Sequence, residues 1–480
     1  MTEQSTLGLL AGDLASLVGA ENLDVSESGG HVLGPDTGMY GPRRVPVRVR
    51  PSRAGQVPEI LRTIADSGTG LRVHPYSTGF NWGLGSKEPA RDDVAALDLS
   101  GLDRVRDLNA ERGWAVVEPG VTQGVLSTML EGTDRMANVT VASAHTSFLG
   151  NALDRGVGLR SQRTEDVLGL EVVLPDGRTV RVGWWPGTST ASPYPHGLGP
   201  STLGLFAQSD YGIVTAAAIR LLPRPEEVRL LAFHFEAESL GGVTELLHYW
   251  VSQGYTRSVP KLYDPPAAAP YGCPEGRYLL HVCVDGSLPL VEATVRTMVA
   301  QARESDLCTD VVDGREKEHD ELSLLVERAY GGDPDVEDTI FRRKVRTTYD
   351  RMDAEVGFLL FLPLVPFTAE DVLRAERLLG EVREEFGLRC GSTLHPLDSE
   401  IIDYVVNVRF PRTEEGARTA HRALDALHKR FGDAGYMPYR LDVGHAGESA
   451  RYAPSPEAAD LARGLKDHLD PAGVIAPGRY

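Results

Sequence analysis

The stretch LRVHPYSTGFNWGLGSK, residues 71–87, decides how the rest of the chain is read. It opens on alternating apolar residues and then sets Gly79, Gly83 and Gly85 among Ser77, Thr78, Asn81 and Ser86. That pattern predicts a strand running into a glycine-rich turn, where backbone free of Cβ atoms can bring N–H groups up to a phosphate. A structural turn is the competing reading of the same residues. The stretch is not a G-x-G-x-x-G fingerprint, and it lacks the G-K-[ST] ending of a triphosphate loop.

Outward from this stretch, the chain offers material for more than one domain. Its 480 residues suffice for two or more domains with a substantial core. A formal net charge of -19 argues against a nucleic-acid partner and against clinging to anionic membranes. Cys273, Cys283, Cys308 and Cys390 lack C-x-x-C spacing, so neither a disulfide scaffold nor a thiolate metal site is expected, and no metal is assigned. The opening MTEQSTLGLLAGDLASLVG has no basic start and no long apolar core, so it reads as a capped helix instead of a signal peptide. No run approaches the roughly 18 apolar residues that span a bilayer. A soluble, cytoplasmic protein is the expectation.

On the N-terminal side, Val45–Arg50 reads as a short strand, and Val57, Ile60, Leu61 and Ile64 mark one face of a helix over 56–66. On the C-terminal side come a strand at 94–99, an antiparallel pair at 104–108 and 114–117, and a helix over 120–131. A second glycine-bearing stretch, SFLGNALDRGVG, covers residues 147–158. Pro175-Asp176-Gly177-Arg178 predicts a hairpin turn, and the proline-rich segment 184–200 an ordered loop or lid. Past Pro225 a strand–helix rhythm sets in. Strands are expected at 228–235, 278–284, 358–364 and 403–410, and helices at 240–253, 291–304, 368–386 and 414–431. Residues 318–330 and 335–348 read as mostly helical, and 455–468 as a last helix. The fold class is α+β.

Four stretches together resemble the flavoprotein family of vanillyl-alcohol oxidase and 4-cresol dehydrogenase: STGFNWGLG from Ser77, GNALDRGVG from Gly150, GLFAQSDYGIVT from Gly204 and LDPAGVIAPGRY from Leu469. PYR at Pro438 is a fifth. They run in the family's order over nearly the whole chain. The resemblance implies a two-part FAD-binding domain over residues 1–225 and a cap domain over 226–436, built on an antiparallel sheet covered by helices. A segment over 437–480 would return to the flavin. The implied cofactor is FAD. Ser77, Thr78, Gly79 and Phe80, with Asn81, Trp82, Gly83 and Gly85, match the family's pyrophosphate loop. Gly150 and Asn151 match its second flavin loop, where a plain turn former is the other reading of Asn151. Gly212, Ile213 and Val214 match the strand that meets the flavin's pyrimidine edge, and Arg479 lies in the closing motif.

For chemistry, the resemblance implies FAD-dependent dehydrogenation, with hydride passing from an activated carbon to the flavin. Tyr439 and Arg440 match the family's phenolate-binding pair; a packed tyrosine, and an arginine paired with Asp442, are the alternatives. Neighbours on an extended strand face opposite ways, so both serve one oxygen only where the backbone bends. The family's loop tyrosine falls on Leu84, which cannot donate, and its acidic residue is displaced to Glu165 or Asp166. Arg160 and Arg163 could receive a carboxylated substrate, or serve a solvated or flavin-phosphate role. Tyr404 aligns with the residue that carries the flavin covalently, against a packed cap tyrosine; His395, His145 and His445 are the other candidate tethers. His445 is also a candidate base. The expected partners are a small-molecule substrate, oxygen or an electron-carrier protein as acceptor, and a second copy in a homodimer. An enzyme acting on a non-phenolic hydroxy acid, alcohol or amine, in secondary metabolism, is the nearest alternative, and a non-redox flavin-binding scaffold a more distant one.

Overall fold

The strand Arg72–Tyr76 lies parallel to Val94–Asp98 in a computed structural model that describes residues 3–188, 191–315 and 317–480. Val94–Asp98 is buried along its length, as a strand in the middle of a covered parallel sheet must be, and its other edge pairs in parallel with Val47–Val49. Leu23–Val25 adds an antiparallel edge to complete four strands. The helix Val57–Asp66 covers this sheet with Val57, Ile60, Leu61 and Ile64, all buried, and carries its proline in the first turn, where the missing N–H is harmless.

A second, five-stranded antiparallel sheet runs in the order Val105–Asn109, Trp114–Val117, Ile213–Arg220, Val167–Val173 and Thr179–Gly183. Gly177 turns the last hairpin at φ 82°. The third sheet, of eight strands, draws on residues from Glu227 onward and is also antiparallel. The helices Leu240–Ser252, Leu288–Glu304, Ala369–Phe386 and Glu414–Asp433 cover one of its faces around a core that includes Phe233, Trp250, Tyr404 and Phe431. Its opposite face shares a core with the second sheet, where Leu230, Leu279 and Cys283 meet Phe148 and Val214. The result is a mixed α+β fold with a sheet-based cap on its flavin-type part. The chain end returns to the strand Arg72–Tyr76: Val73 N–H donates to Val474 O at 2.8 Å, and Ala476 N–H to Val73 O at 2.9 Å.

One expectation needs correcting, and one strand was not anticipated. Residues 335–348 are mostly not helical. Asp335 accepts from Thr339 N at 3.1 Å and Ile340 N at 2.7 Å and starts a helix of only six residues, Thr339–Lys344. In addition, Cys390–Pro396 is a central cap strand that its mixed composition CGSTLHP concealed. Part of the segment 184–200, at residues 189–190, lies outside the described residues, as do the first two residues of the N-terminal stretch. Among the described residues no helix is long and apolar enough to cross a membrane.

Candidate functional site

The end of strand Arg72–Tyr76 and the helix Phe148–Leu153 face each other across a cleft of 280 Å³. Ser77, Thr78, Gly79, Phe80 and Asn81 form one wall, Gly150 and Asn151 the other. Ser147 caps the helix: its hydroxyl accepts from Gly150 N at 2.9 Å and donates to Pro119 O at 2.6 Å. Thr78 ties the walls together by accepting from Ser147 N at 3.2 Å. A Cβ on Gly150 would stand 2.3 Å from Ser77 Oγ, so the approach of the two walls requires glycine there. Gly212 and Val214 line the back of the cleft, while the Ile213 side chain turns into the core of the first sheet.

The floor is organised around Asp154. Its carboxylate is held by Arg440, by Arg479 at 2.7 Å and by the Tyr480 hydroxyl at 2.7 Å, and Asn81 Nδ2 donates to it at 3.3 Å. Arg440 also donates to Asn81 Oδ1 at 2.8 Å. Burial raises the Asp154 pKa, but the Arg440 and Arg479 charges outweigh it and hold the acid at about 2. Asp154 is therefore ionised, and two guanidinium groups share one carboxylate, leaving a positive charge in excess among these side chains. The sequence reading gave Asp154 no role, because its partners lie near the far end of the chain.

The remaining sequence candidates divide. In the second half of the loop Leu84 and Ser86 still line the cleft, but Trp82, Gly83 and Gly85 do not. A Cβ on Gly83 would stand 2.8 Å from Leu360 N, whose N–H donates to Gly83 O at 2.9 Å, so this glycine admits cap backbone and not phosphate. Gly85 admits Val443, and Trp82 packs with Phe341, Met352 and Phe358. Tyr404 is fully buried on the helix-covered side of the cap sheet with its hydroxyl on Glu376, away from the cleft. A Tyr404→Phe protein is accordingly expected to retain as much FAD as the parent, and acid precipitation to leave the colour in the supernatant of both. Colour that stays with the parent pellet and leaves that of the variant would restore the tyrosyl link.

His445 does not reach the cleft either. It bonds Asp442 through Nδ1 at 2.8 Å, stacks on His428 with centroids 3.7 Å apart, and faces Asp425 at 3.4 Å. Burial alone would lower its pKa, but the bond to Asp442 raises it, which suits a clamp between the Glu414–Asp433 helix and the terminal segment better than a free base. His145 stacks on Tyr349 at 3.7 Å, and His395 lies 3.7 Å from Asp403 on the cap sheet. Of the displaced acids, Glu165 is exposed and Asp166 accepts from Asn138 at 2.8 Å. Arg163 is wholly buried, donating to Asn138 O, Asn151 and Gln123, and Arg160 pairs with Asp285 at 2.8 Å. Arg163 is thereby taken up by internal partners, whereas Arg160 keeps a buried Nε with no hydrogen-bond partner among the described residues.

Tyr439 and Arg440, which follow the isolated bridge at Pro438 and belong to no strand, point to different places. Arg440 enters the cleft, whereas Tyr439 packs with Leu84 and Leu362, its hydroxyl donating to Arg155 O and accepting from Gln162. Gln162 is a second residue that the sequence reading missed.

The cleft suits a dinucleotide. It offers glycine backbone at Gly79 and Gly150, hydroxyls at Ser77 and Thr78, and the Arg479 guanidinium beside Asp154. A family model described as an FAD binding domain matches residues 45–183. The 1'-carboxy-chondrochloren decarboxylase of Chondromyces crocatus is 28% identical over 91% of this chain and 90% of its own length. The 4-cresol dehydrogenase (hydroxylating) flavoprotein subunit of Pseudomonas putida is 24% identical over 85% of this chain and 83% of its own. Among solved structures, p-cresol methylhydroxylase with substrate bound superposes with a TM-score of 0.86 at 20% identity, covering 99% of this chain and 97% of that one. That likeness establishes the fold.

Proposed function

We propose that this chain, which belongs to the vanillyl-alcohol oxidase and p-cresol methylhydroxylase type of FAD-dependent oxidoreductases, removes hydride from the side chain of a phenolic substrate. The observation that carries this reading is the placement of two neighbours on either side of Leu84. Arg440 reaches into the flavin cleft, and Tyr439 holds its hydroxyl against the 155–162 segment beneath the cap. Bound FAD supplies the two-electron acceptor that hydride transfer needs.

The chain's own residues do the rest. Burial raises the Tyr439 hydroxyl above its ordinary pKa, so it stays protonated and acts as a donor. An incoming phenolate would replace the Arg155 carbonyl as its acceptor, with Gln162 fixing the tyrosine from the other side. Leu84, Leu362 and the Tyr439 ring form an apolar wall that keeps this oxygen poorly solvated. Charge held on that oxygen pushes electrons toward the carbon that loses hydride, leaving a quinone methide for water or a later step to resolve.

The cresol in one relative's name is a phenol. The carboxylated compound in the other's makes an acidic phenol the narrower form of this reading. A non-phenolic hydroxy acid, alcohol or amine is the second reading, and Leu84 favours it, since leucine offers no donor where a phenol specialist would place one. Oxygen or an electron-carrier protein takes the electrons onward. Replacing Tyr439 by Phe is expected to lower kcat/KM for a 4-alkylphenol about 10- to 100-fold while FAD content stays at the parent level. Steady-state rates equal to the parent's would remove Tyr439 from the chemistry.

A further inference from the structure

Asp154 is an acid in the wall of a cofactor cleft, and its surroundings leave it one kind of task. Arg440 and Arg479 both donate to Oδ2, Arg479 at 2.7 Å, and Asn81 Nδ2 donates there at 3.3 Å. The Tyr480 hydroxyl donates to Oδ1 at 2.7 Å. A carboxylate has about four acceptor positions, so these donors occupy it. Burial pushes its pKa up, but the Arg440 and Arg479 charges hold it at about 2, so it takes no proton from a substrate near neutral pH. Asp154 also follows the last residue of the helix Phe148–Leu153, where the carbonyl ends disfavour an acid. Neither base catalysis nor helix stability accounts for it.

What Asp154 does hold is a pair of arginines. Arg440 is fixed between it and Asn81 Oδ1 at 2.8 Å, and Arg479 between it and Leu441 O at 2.8 Å. Both arginines line the cleft together with Leu84, which packs on the cap residue Leu362. This is the cap end of the cleft, where a substrate held under the cap meets the redox end of the cofactor and not its nucleotide end. The other acids lining the cleft have partners of their own: Asp210 lies 3.4 Å from Lys466, and Glu88 2.8 Å from His31. Asp154 is the counter-charge that Arg440 and Arg479 share. Charge beside a flavin ring changes the ring's affinity for electrons, and charges a few ångströms apart in a poorly solvated site act on each other strongly. We propose that Asp154 is a positioning residue that fixes Arg440 and Arg479 beside the flavin ring and, by offsetting part of their charge, sets how readily the bound flavin accepts electrons.

The inference rests on the cleft holding FAD and not on the substrate being a phenol, so a protein inert to every phenol would leave it standing. Its readout needs no turnover. The FAD-loaded protein is reduced anaerobically with dithionite beside a dye of known potential, and the two-electron potential of the flavin is read from the absorbance of both. Asp154→Asn keeps the shape and removes the negative charge. It is expected to favour the reduced flavin roughly 10-fold or more, which is about 30 mV upward for a two-electron couple. Arg479→Gln removes a positive charge and is expected to move the potential downward by a similar amount. Asp154→Glu restores the charge and is expected to stay nearer the parent than Asp154→Asn. Opposite shifts from the two halves of one ion pair are a result that a merely structural contact does not produce. Potentials unchanged in both charge-removing variants, or shifted the same way, would overturn the proposal. So would failure of both Asp154→Asn and Asp154→Ser, a second neutral replacement, to give a folded protein that takes up FAD, since the acid would then be structural.

Discussion

An Arg440→Ala enzyme is expected to keep its FAD and to lose roughly 30- to 1000-fold in kcat/KM, the equivalent of about 2–4 kcal/mol for a charged group removed from a closed site. The separation of the two effects follows from the floor of the cleft. Asp154 would keep Arg479 at 2.7 Å and the Tyr480 hydroxyl at 2.7 Å, so its charge stays compensated. The cofactor would keep the Ser77–Gly79 turn and the Gly150 approach. What disappears is a permanent positive charge beside Leu84, where a substrate anion would be stabilised. Absorbance spectra and steady-state rates on the same preparation check this. Undiminished turnover would remove Arg440 from the mechanism.

The second large effect distinguishes two glycines of similar appearance in the sequence. Gly83→Val is expected to give no soluble folded protein. The position holds φ 77°, which costs a branched residue about 1–2 kcal/mol or more, and its Cβ would press on Leu360 N at 2.8 Å across the bond that joins the flavin loop to the cap. Gly150→Val is expected to fold and to be colourless, because its side chain would enter the gap between the helix and Ser77 without disturbing a strained backbone. Circular dichroism and flavin absorbance read the two outcomes. A Gly83→Val protein that folds normally but rejects FAD would return the second half of the loop to the cofactor.

These two glycines also show what the sequence could and could not reveal. Glycine spacing announces that something comes close to bare backbone, but it does not say whether phosphate or polypeptide does. The Ser77–Asn81 half of the loop faces the cleft together with Leu84, whereas Trp82, Gly83 and Gly85 face the cap and the terminal segment. Tyr404 was linked to the flavin by resemblance alone, and its other reading, a packed cap tyrosine, is the one its surroundings support. In DYVVNVRF apolar residues fall on both phases of the strand, so alternation fixes no face, and only the packed sheet turns Tyr404 toward the helices. Asp154 was invisible because an acid between Leu153 and Arg155 reads as solvated until Arg440, Arg479 and Tyr480 fold over it. Long amphipathic helices such as Ala369–Phe386 and Glu414–Asp433 were legible, since their period and caps are local.

On the proposed function, the oxygen of a phenolic substrate sits by Tyr439, across Leu84 from Arg440. Anaerobic mixing of the FAD-loaded protein with 4-alkylphenols, 4-hydroxyphenyl alkanoates, benzylic alcohols, 2-hydroxy acids and amines, followed at the flavin absorbance band, tests it most directly. Rapid bleaching by one or more of the phenols is expected, slowed in the Tyr439→Phe and Arg440→Ala variants. Bleaching by a 2-hydroxy acid, an alcohol or an amine, with every phenol inert, would contradict it.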